Sequence, residues 1–317
     1  MLKKFRAFKN NKLGILNLNT RNGNFINTNN SRKDYPSVDN KLITKDLAIK
    51  NNIPVPEAYA VIKSNKDLRN IKKILKKYNE FVVKPASGSG GNGILIITGK
   101  YENYYQKNNK ELITEDDLMY HISNILSGMY SLGNHQDQAL IEYKVNPSQI
   151  FAEISTMGVP DIRIIVYKKI PAMAMLRLPT NLSNGKANLH QGALGIGINF
   201  KNGTLTGGVF KKKLISYHPD TLQDFKNFEI PNWYKILLLA QKCGNLTNLG
   251  YIGVDIVIDK DKGPLILELN ARPGLSIQLA NNSGLLQALN LIDNFIIENK
   301  NNNITNLSSL NWCINNL

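Results

Sequence analysis

The chain has little cysteine. Cys243 and Cys313 are the only two in 317 residues, and neither belongs to a CxxC or a Cys/His cluster, which excludes a disulfide framework and a zinc site. No run approaches the ~18 consecutive apolar residues of a membrane-spanning helix. The N-terminal MLKKFRAFKNNKLGILNL is basic but lacks the apolar core of a secretory signal, so the expected compartment is the cytoplasm. Acidic residues are scarce: 24 Asp and Glu stand against 39 Lys and Arg, a net charge of +15. Such a charge attracts anions, but the lysines are scattered among asparagines and no basic–aromatic stripe marks a nucleic-acid module, so no nucleic-acid partner is expected. Internal repeats are absent, as are the Gly-Lys-Ser/Thr of a P-loop and the HRD and DFG of a protein kinase. No Ser/His/Asp or Cys/His constellation offers a nucleophile.

What is present fits a folded protein, with 42% hydrophobic and 20% charged residues over a length sufficient for two or three modules. The most informative stretch is 250–274, GYIGVDIVIDKDKGPLILELNARPG. It reads as two apolar strands joined by a tight turn at 259–263. Asp255 lies in the first strand. Glu268 and Asn270 are two apart near the end of the second, and so share a face. Two carboxylates and an amide oxygen among Val, Ile and Leu are costly to bury unless a cation lies between them. Oxygen-only ligands suit a hard ion, Mg²⁺ with Mn²⁺ as the alternative.

Elsewhere the pattern gives a strand at 14–19, a helix at 41–51 capped by Asp39, a strand at 58–62, and a helix from a Ser64/Asp67 capping box to about 79. Strands at 81–84 and 94–98 flank a Gly-rich loop, and a helix runs from Thr114 to about 130. Strands are expected at 138–143, 161–167, 172–178, 192–199 and 205–210, and helices at 232–248, 276–280 and 285–298. The Asn-rich tail, 299–317, is expected to be loosely attached. Helices interspersed with hairpins make the class α+β with at least two sheets.

Residues 84–93, KPASGSGGNG, place Gly88, Gly90 and Gly93 in a literal G-x-G-x-x-G. A dinucleotide fold needs a helix after those glycines, and here a strand follows. A strand–loop–strand flap can instead lay the backbone of Ser87, Gly88, Ser89, Gly90, Gly91 and Gly93 over phosphates, with Lys84 reaching a phosphate oxygen. An ordinary hairpin loop with a solvated lysine is the alternative, and the glycine density argues against it.

These motifs occur in the order DNKLITK, VVKPASGSGGNG, LIEYK, PDIRI, NLHQG, GVDIVID and LELNARPG. In that order the sequence resembles the ATP-grasp enzymes, and among them the RimK-type α-L-glutamate ligase-like branch, over about 41–286. The resemblance implies an α+β ATP-grasp fold, two α/β subdomains sandwiching ATP, at 41–298. Within it a small lid would span about 58–143 and a metal-bearing subdomain 144–298, after a reduced N-terminal segment, 1–40, in place of a larger pre-grasp domain.

The resemblance also implies residue roles. Lys41 and Lys84 would contact phosphates, Glu142 would accept from the adenine amine, and the Tyr143–Lys144 backbone would pair with the ring edge. Asp161, or Glu153 in its place, would contact ribose, and Arg177 would lie near the transferred phosphoryl group. Asn188 and His190 of NLHQG would contact phosphate or substrate, and Asp255, Glu268 and Asn270 would hold the metal. Arg163 and Arg177, on adjacent expected strands, can each clamp a phosphate or a carboxylate. Some relatives carry an Arg where Gly253 stands, so Arg272 or Arg163 would take over at the substrate carboxylate or oxyanion. Arg21 and Asn22 are read as pointing towards the same cleft.

The implied activity is ATP- and Mg²⁺-dependent carboxylate–amine ligation through an acyl phosphate, with glutamate or a similar amino acid as the unit added to a peptide, protein or small molecule. A non-catalytic nucleotide-binding module and an ATP-grasp kinase are the alternatives. With the N-terminal domain cut down, part of the substrate site is left open or falls to a second copy or a partner protein.

Overall fold

Alternation of side chains builds the first of two sheets. The structure, a computed structural model, describes residues 14–317 except 89, 132, 156, 212, 227, 302 and 303. The packing divides the chain into two units. One holds Asn40–Asp46 and Val55–Val145; the other holds the described part of Met1–Asp39 with Leu47–Pro54 and Asn146–Leu317.

Helix α1, Lys41–Lys50, is capped by Asn40, whose Oδ1 accepts from the N–H groups of Leu42 and Ile43 at 2.9 and 3.3 Å. The expected cap, Asp39, instead ends a short helix of its own, Pro36–Asp39, because Pro36 is pre-set for a helical first position.

The smaller unit carries an antiparallel six-stranded sheet: β1 Ala58–Ile62, β2 Phe81–Pro85, β3 Leu95–Tyr101, β4 Tyr104–Lys107, β5 Leu112–Thr114 and β6 Ala139–Glu142, in the order β1-β6-β2-β3-β4-β5. Phe81 and Val83 of β2 and Ala139 and Ile141 of β6 face one core, so Lys84 and Glu142 fall on the other face. Helix α2, Glu115–Leu126, starts with a Thr114/Asp117 capping box. It buries Leu118, Ile122 and Ile125 on that core, roughly 1.5–3 kcal/mol for each side chain removed from water.

The larger unit carries a seven-stranded antiparallel sheet: β7 Asp161–Tyr167, β8 Ile170–Leu178, β9 Leu194–Ile198, β10 Leu205–Phe210, β11 Lys213–Ile215, β12 Tyr251–Asp259 and β13 Gly263–Asn270, in the order β11-β10-β9-β8-β7-β12-β13. All nine residues of β8 and of β12 are buried, so both faces of the central strands are covered. Helices α3 Trp233–Asn245, α4 Ser276–Ala280, α5 Leu285–Glu298 and α6 Asn306–Asn316 pack on β7–β10 and β12. Lys168 and Lys169, both at positive φ, make the two-residue turn between β7 and β8.

Three further expectations change. Residues 14–19 form no strand: Asn17 caps a helical turn at Leu18–Thr20, accepting from Thr20 N–H at 2.9 Å. The helix expected up to about 79 breaks into Asn65–Leu68 and Ile71–Leu75. The tail is not loose. Within 299–317, a Thr305/Ser308 capping box starts α6, Leu310 and Cys313 are buried, and Trp312 stacks on Phe295 at 4.3 Å. Cys243 and Cys313 are free and buried. Among the described residues no helix is long and apolar enough to cross a membrane.

The N-terminal segment braces the β12–β13 hairpin. Asn30, 4% exposed, accepts from Tyr251 N–H at 2.9 Å and donates to Tyr251 O at 2.7 Å and Ala271 O at 3.3 Å. Gly250 N–H donates to Asn29 O at 2.9 Å. Buried Arg21 donates to Pro273 O at 2.7 Å, and Gln278 bonds both backbone groups of Leu16 at 2.7 and 2.9 Å. Asn30→Ala leaves buried backbone groups of Tyr251 unpaired and is expected to lower unfolding stability by about 3 kcal/mol. Asn51→Ala, which removes one exposed bond to Leu47 O, should change it by under about 0.5 kcal/mol. Urea denaturation of both variants checks this; equal midpoints would show that the brace contributes nothing.

Candidate functional site

In the smaller unit the site begins with lysine spacing. Lys41 and Lys45 are four apart on α1 and so share a face. Lys84 lies on β2 diagonal to Glu142 at the end of β6, on the face away from the apolar core. Glu142 is 3% exposed and bridges two ammonium groups, with Lys84 on Oε1 and Lys45 at 2.5 Å on Oε2. Lys45 also donates to Pro56 O. Burial pulls the Lys45 pKa down, Glu142 pulls it back up, and Lys84 adds to the lowering. Two buried lysines on one glutamate leave an uncompensated positive charge, which favours an anion.

The Gly-rich loop is held at both ends. Asp137, itself buried, accepts Ser87 N–H at 2.9 Å, and Lys41 Nζ donates to Gly88 O at 2.7 Å. At the far end the His121 ring nitrogen Nε2 meets Gly93 O at 3.0 Å. Burial lowers the His121 pKa, which favours the neutral ring. Gly93 has φ +74° and a Cβ there would sit 2.6 Å from the Tyr130 ring, so only glycine closes the loop. Gly90, at φ +65°, has open space around it. Gly91 lies beside it at φ +77°, and Ser89 is outside the described residues.

The hinge residues make contacts within the protein. Glu142 has both carboxylate oxygens on lysines. The Tyr143 N–H, expected at a base edge, donates to Glu57 O at 2.8 Å, and the Lys144 ammonium pairs with Glu80 at 3.3 Å.

In the larger unit, register alone gathers an acid–arginine stripe. Arg177 lies opposite Asp161, Arg163 opposite Asp255, and Asp255 opposite Glu268, across β8, β7, β12 and β13. Asp161 and Arg163 are two apart, as are Glu268 and Asn270, so all six side chains lie on one sheet face. Arg163 grips Asp255 with two bonds, Nε to Oδ1 at 2.7 Å and Nη2 to Oδ2 at 2.5 Å. Arg177 reaches Asp255 Oδ2 at 2.8 Å and Asp161 at 2.5 Å. Burial opposes the Asp255 charge, but Arg163 first and Arg177 second hold its pKa well below the usual carboxylate range. One guanidinium serves two acids, so burial, with help from the Asp255 charge, pushes Asp161 up to about 7 against the pull of Arg177. Asp161 therefore belongs to this stripe, while Glu153 is exposed.

The stripe fits a hard cation. Asp255, Glu268 and the amide of Asn270 offer oxygen donors of the kind such an ion takes. The Asn270 amide nitrogen, the positive end of a dipole, sits between Asp255 Oδ2 at 3.2 Å and Glu268 Oε1 at 3.5 Å. Among the described residues no three His, Cys, Asp or Glu side chains gather as a metal site.

The other expected residues stand apart from the stripe. Asn188 Oδ1 accepts His190 N–H at 3.0 Å and caps the turn Leu189–Gln191, and His190 is exposed. Arg272 is exposed and lies over the Tyr35 ring at 5.0 Å. Arg21 and Asn22 bond to each other, at 2.8 and 3.1 Å, and Arg21 serves the backbone of Pro273. Lys45, Asp137 and His121 escaped the sequence reading. Only Lys45 left a signal, its place four residues after Lys41 in DNKLITK.

Arg177→Met leaves Asp161 and Asp255 buried with one guanidinium between them and is expected to cost about 3–5 kcal/mol. Arg163→Met, which leaves Asp255 paired to Arg177, should cost less. Chemical denaturation ranks the two; a smaller loss for Arg177→Met overturns the assignment of Arg177 as the shared counter-ion.

Comparison with known proteins places the chain. No curated protein sequence matches it. Solved structures of similar shape include the ATP-grasp ligase PsnB complexed with a minimal precursor (TM-score 0.46, 14% identity, 85% of this chain and 64% of that one). They also include D-alanine–D-alanine ligase from Bacillus anthracis (0.46, 16%, 83% and 68%) and D-cycloserine synthetase DcsG (0.45, 14%, 82% and 70%). This chain therefore spans somewhat under two thirds of the length of PsnB. Nothing among these matches singles out the RimK-type branch. The family described as sugar-transfer associated ATP-grasp matches residues 20–294. With most of its length matched, the chain belongs to the sugar-transfer associated ATP-grasp family.

Proposed function

We propose that the protein is an ATP-dependent carboxylate–amine ligase. The observation that carries this reading is the stripe of Asp161, Arg163, Arg177, Asp255, Glu268 and Asn270. It combines a cation seat with two guanidiniums suited to phosphate and carboxylate oxygens. Asp255, Glu268 and Asn270 would hold Mg²⁺, which when bound neutralises phosphate charge. Lys41, Lys84 and the loop around Gly90 would take the phosphates of ATP. Arg163 and Arg177 would orient the carboxylate whose oxygen attacks the γ-phosphorus, with ADP leaving. The amine then attacks the acyl carbon, giving amide, phosphate and a proton. No protein nucleophile is needed, in keeping with the sequence.

Glutamate as the added unit follows from the RimK-type resemblance. The family description, sugar-transfer associated, is the reason to include sugar-bearing compounds among the candidate substrates. A screen of amino acids, peptides and amino sugars with ATP and Mg²⁺ tests the reading by product mass. Ligation predicts ADP, phosphate and an amide. A stable phosphorylated product would point to a kinase, and nucleotide binding without turnover to a binding module. Asp255→Asn is expected to lower turnover at least about 100-fold, equivalent to about 2.7 kcal/mol of barrier. Unchanged turnover in that variant would end the proposed mechanism.

A further inference from the structure

Arg21 carries a buried charge that no acid among the described residues offsets. It is 7% exposed, and its bonds go to neutral oxygens: Nε and Nη2 donate to Asn22 Oδ1 at 3.1 and 2.8 Å, and Nη1 donates to Pro273 O at 2.7 Å. With those N–H groups used, Nη1 and Nη2 each keep one. The charged neighbour of Arg21 is a second guanidinium: burial lowers the Arg21 pKa, Tyr251 raises it and Arg272 lowers it. Arg272, exposed over the Tyr35 ring, forms no ion pair among the described residues either. The Tyr251 hydroxyl is buried and has no hydrogen-bond partner among them. Buried charges are normally paired and buried hydroxyls bonded, so this corner of the larger unit lacks an acceptor.

The corner adjoins the stripe. Alternation puts Tyr251, Gly253 and Asp255 on one face of β12. A Cβ at Gly253 would sit 2.7 Å from Pro273 Cβ, so Pro273 covers Gly253 on that face. Arg21, bonded to Pro273 O, therefore stands towards the Tyr251 end of the face that carries Asp255, where two residues of strand span about 7 Å. We infer that Arg21 and Arg272 form an anion subsite beside the stripe, which takes a second carboxylate or phosphate of the substrate whose reacting carboxylate lies at Arg163 and Arg177. The identity of that substrate rests on the ligase reading; the anion site does not. Asn22 Oδ1 occupies the Nε–Nη2 edge of Arg21 and fixes the plane of the guanidinium. The short N-terminal segment thereby supplies a specificity residue as well as a brace.

The test titrates succinate and methyl phosphate, followed by ligand-observed NMR, into the wild type, Arg272→Gln and Arg21→Lys, each with and without saturating Mg–ADP. Arg21→Lys keeps the charge but loses the planar fork. Arg272 is exposed, so Arg272→Gln is readable even where Arg21→Lys fails to fold. The expected result is that the wild type binds at least one of the two oxyanions and that both folded variants bind it at least about tenfold more weakly, with Mg–ADP affinity unchanged within about twofold. Binding of succinate alone marks a substrate with a second carboxylate, and of methyl phosphate alone one with a phosphate. A purely structural Arg21 predicts a lower urea midpoint for Arg21→Lys and an unchanged oxyanion affinity in Arg272→Gln. That result, or no binding of either oxyanion by the wild type, overturns the inference. A wild type that binds an oxyanion but not Mg–ADP counts against the ligase reading alone.

Discussion

A carboxylate removed from water needs compensating charge, and Asp255 makes that demand at the centre of the larger sheet. It is 1% exposed on a strand whose nine residues are all buried. Its compensation comes from strands that are distant in sequence: Arg163 lies 92 residues away and Arg177 78. The register of β7, β8 and β12 is therefore part of the electrostatics. A slip of one residue on β12 would turn Asp255 to the opposite face and bring Val254 or Ile256 to the arginines. The irregularity after Asp255 in the β12–β13 pairing lies beside the residue that faces Glu268. The same pairing that satisfies the buried charge also brings Glu268 and Asn270, the proposed partners in holding a cation, to the same face.

The smaller unit meets the same constraint with the sign reversed. Glu142 is the lone acid of its cluster, and two lysines from β2 and α1 share it. Strand alternation decides which residues take part: apolar partners at 81, 83, 139 and 141 fill one face and leave 84 and 142 on the other. Rigidity at the ends of the Gly-rich loop comes from a different source, the carboxylate of Asp137 and the ring of His121, both placed by packing around α2 and the residues after it. Between those anchors a side chain at Gly90 would meet open space, although its φ of +65° favours glycine.

How much of this could be read from the sequence depends on the range of the interaction. The β12–β13 hairpin was legible because its apolar strands flank an Asp-Lys-Gly turn, and alternation then fixed the shared face of Asp255, Glu268 and Asn270. The α2 cap was legible because Thr114 and Asp117 lie three residues apart. Ion pairs between distant strands were not, since nothing local in the sequence sets Asp255 against Arg163, 92 residues away. The tail misled for a related reason. Asparagine is a poor helix former, but the docking of Leu310, Cys313 and Trp312 on the larger unit outweighs local propensity. At 14–30 the asparagines act as caps and backbone brackets, roles that a strand pattern does not encode.

The formal charge of +15 also looks different with the residues in place. Lys66, Lys72, Lys73, Lys76 and Lys77 are all exposed, where water and salt screen them within about 10 Å. Lys45 and Lys84 are buried, and at 4 Å a charge acts on a ligand about four times more strongly at an effective dielectric of ~20 than in bulk water. An anion near these lysines would therefore feel the charge of the Glu142 cluster more strongly than the surface excess.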